Sequence, residues 1–435
     1  MKKIFLISAL FSVTLMGACT DADPVGDDTE GPGTPEQPVV TPETPVVPSD
    51  FGWSADAAVE LSLESDVLTV VSVYSDADCK SGSLLVEDAL LEAGAARTFS
   101  LAVPAGAGEL YVKYPAASGG DGVVALSADG GEVNYKFPAD AVKSRYEQVP
   151  DYQYYYNSGV IMVEDMWPDF AASDADFNDL VVEYDLKTAE VTSPALLPAH
   201  GYKEGLFITL DIRGVGSGLT KKAGLQLDFD TSLIEGVETA VYKKEGQGVL
   251  TEIRGGDFSV DVDKSRPDKV IILFDGVDKL VAGKHYQTTK GDIEAGRPMI
   301  RAYIHLSGAP DRSALTGEKS RRQAEAFRDV TSYPQKHDFF MVLKSGVEIH
   351  QKGFEPTYHY KNYAADSKGL MSSVPYCSAN NDVWVLRLPV GTPHVYDRTS
   401  IFSAYPDLRE WIESNGSQKR DWYKNYDDEL VPRYW

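Results

Sequence analysis

The chain has 435 residues, with 41 Lys and Arg set against 66 Asp and Glu, for a formal net charge of −25. So acidic a chain repels phosphate, which excludes nucleic acid as a partner, and the same acidity argues against a polybasic membrane-surface mode. With 43% apolar residues there is enough to bury cores for two or three domains.

Lys2 and Lys3 precede an apolar run over residues 4–16, closed by Gly17-Ala18-Cys19. A charged start, an apolar stretch and small residues make a secretory signal over 1–18. The run is shorter than the roughly 20 residues a membrane-crossing helix needs. Leu15-Met16-Gly17-Ala18-Cys19 resembles the lipobox of bacterial lipoproteins, which implies that Cys19 carries the lipid. Each buried methylene of an acyl chain adds about 0.8 kcal/mol of membrane affinity. Residues 19–50 read as an acidic, Pro-rich tether with nothing to bury. At about 3.1 Å per residue in polyproline II it reaches up to roughly 90 Å. Asp21, Asp23, Asp27 and Asp28 are similar to surface-export signals of Bacteroidetes-type lipoproteins, and equally fit solvated linker charge.

Residues 51–150 read as an N-terminal β-sandwich domain. Val59, Leu61 and Leu63 alternate with polar residues, and further short strands are predicted at 66–74, 98–103, 109–114, 123–127 and 132–137. Asp129-Gly130-Gly131 is a hairpin turn signal. A Tyr-rich connection over 141–160 offers either a sugar-stacking surface or, the favoured reading, packing at a seam. Residues 151–435 read as a larger β domain, with strands expected at 160–163, 180–186, 206–213, 270–274, 299–305, 339–343 and 383–388. Segments 214–222 and 308–330 look like loops. One short helix follows Pro406, with Leu408, Trp411 and Ile412 on one face and Asn415-Gly416 as its stop. The fold class is therefore mainly β: two β-sandwich-like domains in tandem with one short C-terminal helix.

Chemistry concentrates in Glu164-Asp165-Met166-Trp167-Pro168-Asp169 and in Asp174-Ala175-Asp176-Phe177-Asn178-Asp179. Asp174, Asp176 and Asn178 sit at alternate positions, so an extended loop aims them at one side. Ca2+ takes six to eight oxygens, and Asp179 with Asp165 or Glu164 could complete a shell. It is not an EF-hand, because Asp179 stands where that loop needs Gly and a strand follows. Asp and Asn also form turns through their own backbone, and that reading stays open beside the metal. Cys79 and Cys377 could bridge in an oxidising compartment or remain as two thiols.

Trp167-Pro168 followed by Asp176-Phe177-Asn178-Asp179-Leu180-Val181-Val182 resembles the hallmark of LruC-domain lipoproteins. Gly214-Val215-Gly216-Ser217-Gly218, Glu348-Ile349-His350 with Gly353-Phe354-Glu355-Pro356-Thr357, and Ala404-Tyr405-Pro406 with Trp411 and Asp421-Trp422-Tyr423 follow in order. The resemblance implies a β-rich surface or periplasmic lipoprotein with no assigned reaction. No GxSxG, P-loop or HExxH is present. His350 reads as a hydrogen-bonded core histidine; Trp167, Trp411 and Trp422 could offer sugar-stacking faces, with Trp411, on the apolar face of its helix, favoured as core and Trp167 the more open question. The expectation is a non-catalytic binding, adhesion or structural module, lipid-anchored to the outer membrane at the cell surface. Its expected partners are the membrane and a glycan or protein ligand. The alternative is an extracellular glycan hydrolase or glycan-binding accessory protein, which needs only two well-placed carboxylates.

Overall fold

The computed structural model describes residues 45–144, 149–192, 204–244, 249–253, 258–281, 285–291, 297–306 and 326–432. The signal segment, Cys19 and most of the acidic tether lie outside the described residues. Among those described, no helix is long and apolar enough to cross a membrane.

The chain is built from strands. The first seven are β1 (Asp56–Glu64), β2 (Thr69–Tyr74), β3 (Leu84–Leu91), β4 (Ala96–Pro104), β5 (Glu109–Pro115), β6 (Asp121–Ser127) and β7 (Glu132–Lys136). Then come β8 (Tyr152–Val163), β9 (Leu180–Val191), β10 (Gly205–Gly214), β11 (Thr220–Asp228), β12 (Ile234–Lys244), β13 (Leu250–Ile253), β14 (Ser259–Asp263), β15 (Lys269–Asp275) and β16 (Arg297–Leu306). β17 (His337–Leu343), β18 (Glu348–His350) and β19 (Val385–Pro389) complete the set.

In β1 the alternation of Val59, Leu61 and Leu63 buries one face, as period-two patterning requires. That face meets Val71, Val73, Leu110 and Val112 in a first core. The sandwich is the three-stranded sheet β4-β1-β7 over the strands β3-β2-β5-β6. The turn at Asp129-Gly130-Gly131 forms, with Gly131 at φ 71°, but it does not make the expected hairpin. β6 and β7 belong to different sheets, and β7 pairs with β1 in parallel. The physical reason is burial: Val133 and Phe137 are covered only if β7 crosses to close the sandwich.

The Tyr-rich segment over 141–160 is not a connection beyond residue 151 but the first half of β8, a 12-residue strand. Gln153, Tyr155 and Asn157 are buried, while Tyr152, Tyr154 and Tyr156 stay half-exposed. One edge of β8 is shared. Its start pairs with β3 through Val86–Tyr155 and Glu87–Tyr154, and its end pairs with β19 from Gly159 to Val163. A single 11-stranded sheet, β13-β12-β16-β10-β9-β8-β3-β2-β5-β6 with β19 on β8, thus runs across residue 150.

A five-stranded sheet, β14-β15-β11-β17-β18, packs over the β12-to-β8 part of the long sheet. β11 begins at Thr220, inside the segment read as a loop. Of the expected 308–330 loop, only 326–330 is described, and it is helical. A third apolar cluster joins Val160, Met162 and Val181 to the C-terminal helices Ile401–Ala404 and Leu408–Glu413. Leu408, Trp411 and Ile412 are the buried face of the second helix. Asn415 and Gly416 end it at positive φ, with the Gly416 amide donating to Trp411 O at 2.8 Å. Cys79 and Cys377 are free thiols, and the Cys377 Sγ lies 3.0 Å from Asn381 Oδ1.

Candidate metal centre

The β8–β9 hairpin builds the acidic site. Its last register pair is Val163–Leu180, so Glu164 and Asp179 emerge opposite one another at its open end. Within the connection, Ala175 and Phe177 take left-handed backbone at φ 55° and 52°, a costly conformation for non-glycine residues. Both bury their side chains in the third apolar cluster, which holds the loop in this shape. The alternate residues Asp174, Asp176 and Asn178 are thereby left for polar contacts.

Carboxylate oxygens of Glu164, Asp176 and Asp179 all lie within 4.8 Å of one another. Two oxygens bound to one Ca2+ at 2.3–2.6 Å can be no more than about 5 Å apart, so the spacing fits. An all-oxygen donor set suits Ca2+ or Mg2+ rather than zinc or copper. Glu164 and Asp176 are buried. Among the described residues, no Lys or Arg forms an ion pair with Glu164, Asp165, Asp174, Asp176 or Asp179.

The electrostatics follow from that. Burial, then the charge of Asp174, raises Glu164 to about 7. Burial, then Asp174 and Glu164, raises Asp176 to about 8. Burial and the charges of Glu164, Asp165 and Asp176 push Asp179 well above the usual carboxylate range. The site is short of positive charge. Backbone amides offset some of the deficit: Arg398 N donates to Asp176 Oδ2 at 3.0 Å, and Phe177 N to Glu164 Oε2 at 3.3 Å.

Of the five residues the sequence pointed to, Asp176 and Asp179 enter the tight group. Glu164 rather than Asp165 joins them. Asp165 is turned to other work: its amide donates to Asp179 Oδ2 at 2.6 Å, and its carboxylate accepts from the Ser217 hydroxyl. Asp174 is exposed at the rim, near enough for its charge to act on Glu164 and Asp176. Asn178 is fully buried. Its Nδ2 donates to Val395 O, while Oδ1 has no hydrogen-bond partner. The Gly-rich run serves this loop. Gly216 N donates to Asn178 O at 2.8 Å, and a Cβ on Gly216 would overlap Asn178 Oδ1.

His350 is fully buried between Asp338 Oδ2 at 2.5 Å and Glu348 Oε2 at 3.0 Å, a core histidine. Trp167, Trp411 and Trp422 are all buried and offer no sugar-stacking face. Trp167 stacks on Tyr363 at 5.7 Å and packs beside Tyr360 and Tyr376.

A family described as a domain of unknown function, DUF4842, matches residues 205–423, just over half of the chain. The chain belongs to this family. A second domain of unknown function, DUF4841, matches residues 69–129, within the first sandwich. The acidic hairpin lies between the DUF4841 and DUF4842 regions. Among solved structures, a protein described as a "putative lipoprotein" from Bacteroides ovatus superposes with a TM-score of 0.71 at 29% identity. The match covers 84% of this chain and all of that one. A major pilin from Corynebacterium diphtheriae matches at 10% identity over 68% of this chain and 66% of its own, with a TM-score of 0.16 that carries no weight. No curated protein matches. These matches carry the two domain names and not the LruC name suggested by the motifs.

Proposed function

We propose that this DUF4842 protein is a lipid-anchored component of the cell envelope. Its body is a non-catalytic β module whose acidic hairpin is stabilised by one bound Ca2+. The observation that carries the cation is the cluster of Glu164, Asp176 and Asp179. Three carboxylates within 4.8 Å, without a cationic partner among the described residues, are a repulsive arrangement that a divalent ion turns into an attractive one. The unpartnered, buried Asn178 Oδ1 in the same loop supports it, since such an atom calls for a ligand or water. Anchoring is supported by the small-small-Cys ending at Cys19 and by the similar Bacteroides ovatus structure described as a "putative lipoprotein". In this reading the tether holds the module away from an outer-membrane surface.

Calcium titration by calorimetry, after treatment of the protein with chelator, tests the cation. One Ca2+ per chain is expected to bind. At 100 times its dissociation constant it would stabilise the fold by about 2.7 kcal/mol. Asp176→Asn is expected to abolish both the heat and the thermal shift while remaining folded. Absence of heat and of any shift with the wild-type protein would return the loop to a purely structural turn.

A further inference from the structure

The outer face of the long sheet carries a second feature, away from the acidic hairpin. Its inner face is apolar: Leu186, Leu206 and Ile304 lie in the main core. The residues beside them in sequence point outward. Register places Tyr156, Lys187, Phe207, Tyr303 and Glu238 in one line across β8, β9, β10, β16 and β12. At about 4.8 Å per strand the line is about 19 Å long. It runs along a groove of about 750 Å³.

The rings are ordered by one another. Phe207 and Tyr303 stack at 4.1 Å with planes 6° apart, and Phe207 remains 40% exposed. Lys187 Nζ sits 3.9 Å from the centre of the Tyr154 ring on the neighbouring strand. A Cβ on Gly205 would collide first with the Ile304 carbonyl oxygen and then with the Tyr303 ring.

The charges decide the occupant. Lys187 and Arg301 are matched by Asp185 and Glu238, all lining the groove. These four lining charges balance, while Glu87 takes the Tyr156 hydroxyl at one end and Glu238 also meets His305 at 2.8 Å, so the lining offers no positive field for an anion and suits an uncharged ligand. Rings offer apolar faces for stacking, while Lys and Arg donate and Asp and Glu accept hydrogen bonds. That combination suits a molecule with alternating apolar C–H faces and hydroxyls. An extended peptide is disfavoured, because β9, β10 and β16 are paired on both sides and have no free edge to lend. We propose that the outer face of β8, β9, β10, β16 and β12 binds a neutral oligosaccharide, whose rings lie along the Tyr154–Phe207 groove. This goes beyond the cation-stabilised module and does not depend on it.

The full chain is titrated by calorimetry with maltohexaose, cellohexaose, mannohexaose and chitohexaose. At least one is expected to bind saturably, with affinity nearly independent of salt and unchanged by chelator. Phe207→Ala is expected to weaken binding at least tenfold. Thr209→Trp, which fills the groove without removing a packed side chain, is expected to abolish it, with both variants melting like wild type. The proposal is overturned if no probe binds or if binding survives both substitutions. It is equally overturned if only acidic polysaccharides bind, or if Phe207→Ala instead dissolves a self-association seen by light scattering.

Discussion

His350 illustrates how a single residue is held in a charged state inside this protein. Burial by itself would lower its pKa, but Asp338 and Glu348, through charge and hydrogen bonds, outweigh burial and lift it to about 9. Phe340 stacks on the ring at 4.3 Å, and the Thr357 amide and hydroxyl hold Glu348 at 2.8 and 2.7 Å. Removing the cation would leave two buried carboxylates facing each other, so His350→Gln is expected to cost about 3–5 kcal/mol in urea unfolding near neutral pH. The folded pKa lies above the ordinary value of 6.5. Its contribution is therefore full below about 6.5 and is lost as pH rises through about 9. Urea midpoints measured from pH 6 to 10 should fall across that window, and the fall should be smaller in His350→Gln, where the ionisation of Glu164 and Asp176 near pH 7–8 remains. The acidic hairpin has the reverse problem, like charges without a counter-charge, which is why a cation is inferred there and not here.

Between elements, Arg97 on β4 links three strands. It donates to Leu90 O of β3 at 2.7 Å, and to Gln153 Oε1 and the Tyr155 hydroxyl of β8 at 2.8 and 2.6 Å. Only two register pairs join β3 to β8, so this side chain carries much of the junction where the long sheet passes residue 150. Charged hydrogen bonds of this kind contribute about 1.5–3 kcal/mol. Arg97→Ala is expected to lower unfolding free energy by about that amount. Amide exchange should accelerate most in the first half of β8, from Tyr152 to Asn157. Uniform acceleration over the whole chain would mean that the junction is not a local weak point.

Over the described residues, a long sheet faces two smaller ones. In the Pro-rich segment before residue 51, Val47 packs against the third apolar cluster and Asn381 Nδ2 donates to Pro48 O at 2.7 Å, while the sequence before residue 45 is rich in Pro and acidic residues. If Cys19 carries a lipid, as proposed, this segment is the spacer between anchor and body. Replacement of Cys19 by Ala is expected to move the protein from the membrane fraction to the soluble fraction of the cell envelope, with its melting temperature unchanged. Retention of the variant in the membrane fraction would assign the attachment to some other part of the chain.

Much of this architecture is written in local pattern. Alternation at Val59, Leu61 and Leu63 defines β1, and Leu408, Trp411 and Ile412 with Asn415-Gly416 define the last helix, because period and end signals depend only on near neighbours. The acidic string before Leu180 was equally legible. Other features belong to the tertiary structure. The crossing of β7 to pair with β1 and the alignment of Phe207 with Tyr303 depend on register between strands far apart in sequence, and the choice of Glu164 over Asp165 on the register of the β8–β9 hairpin. A one-residue slip would reverse the face of every side chain concerned. Sequence by itself determined which stretches alternate, where the chain can turn and where oxygen donors concentrate. Only the pairing of the strands decided which of them meet, since each pairing is set by burial summed over a whole face and not by any one segment.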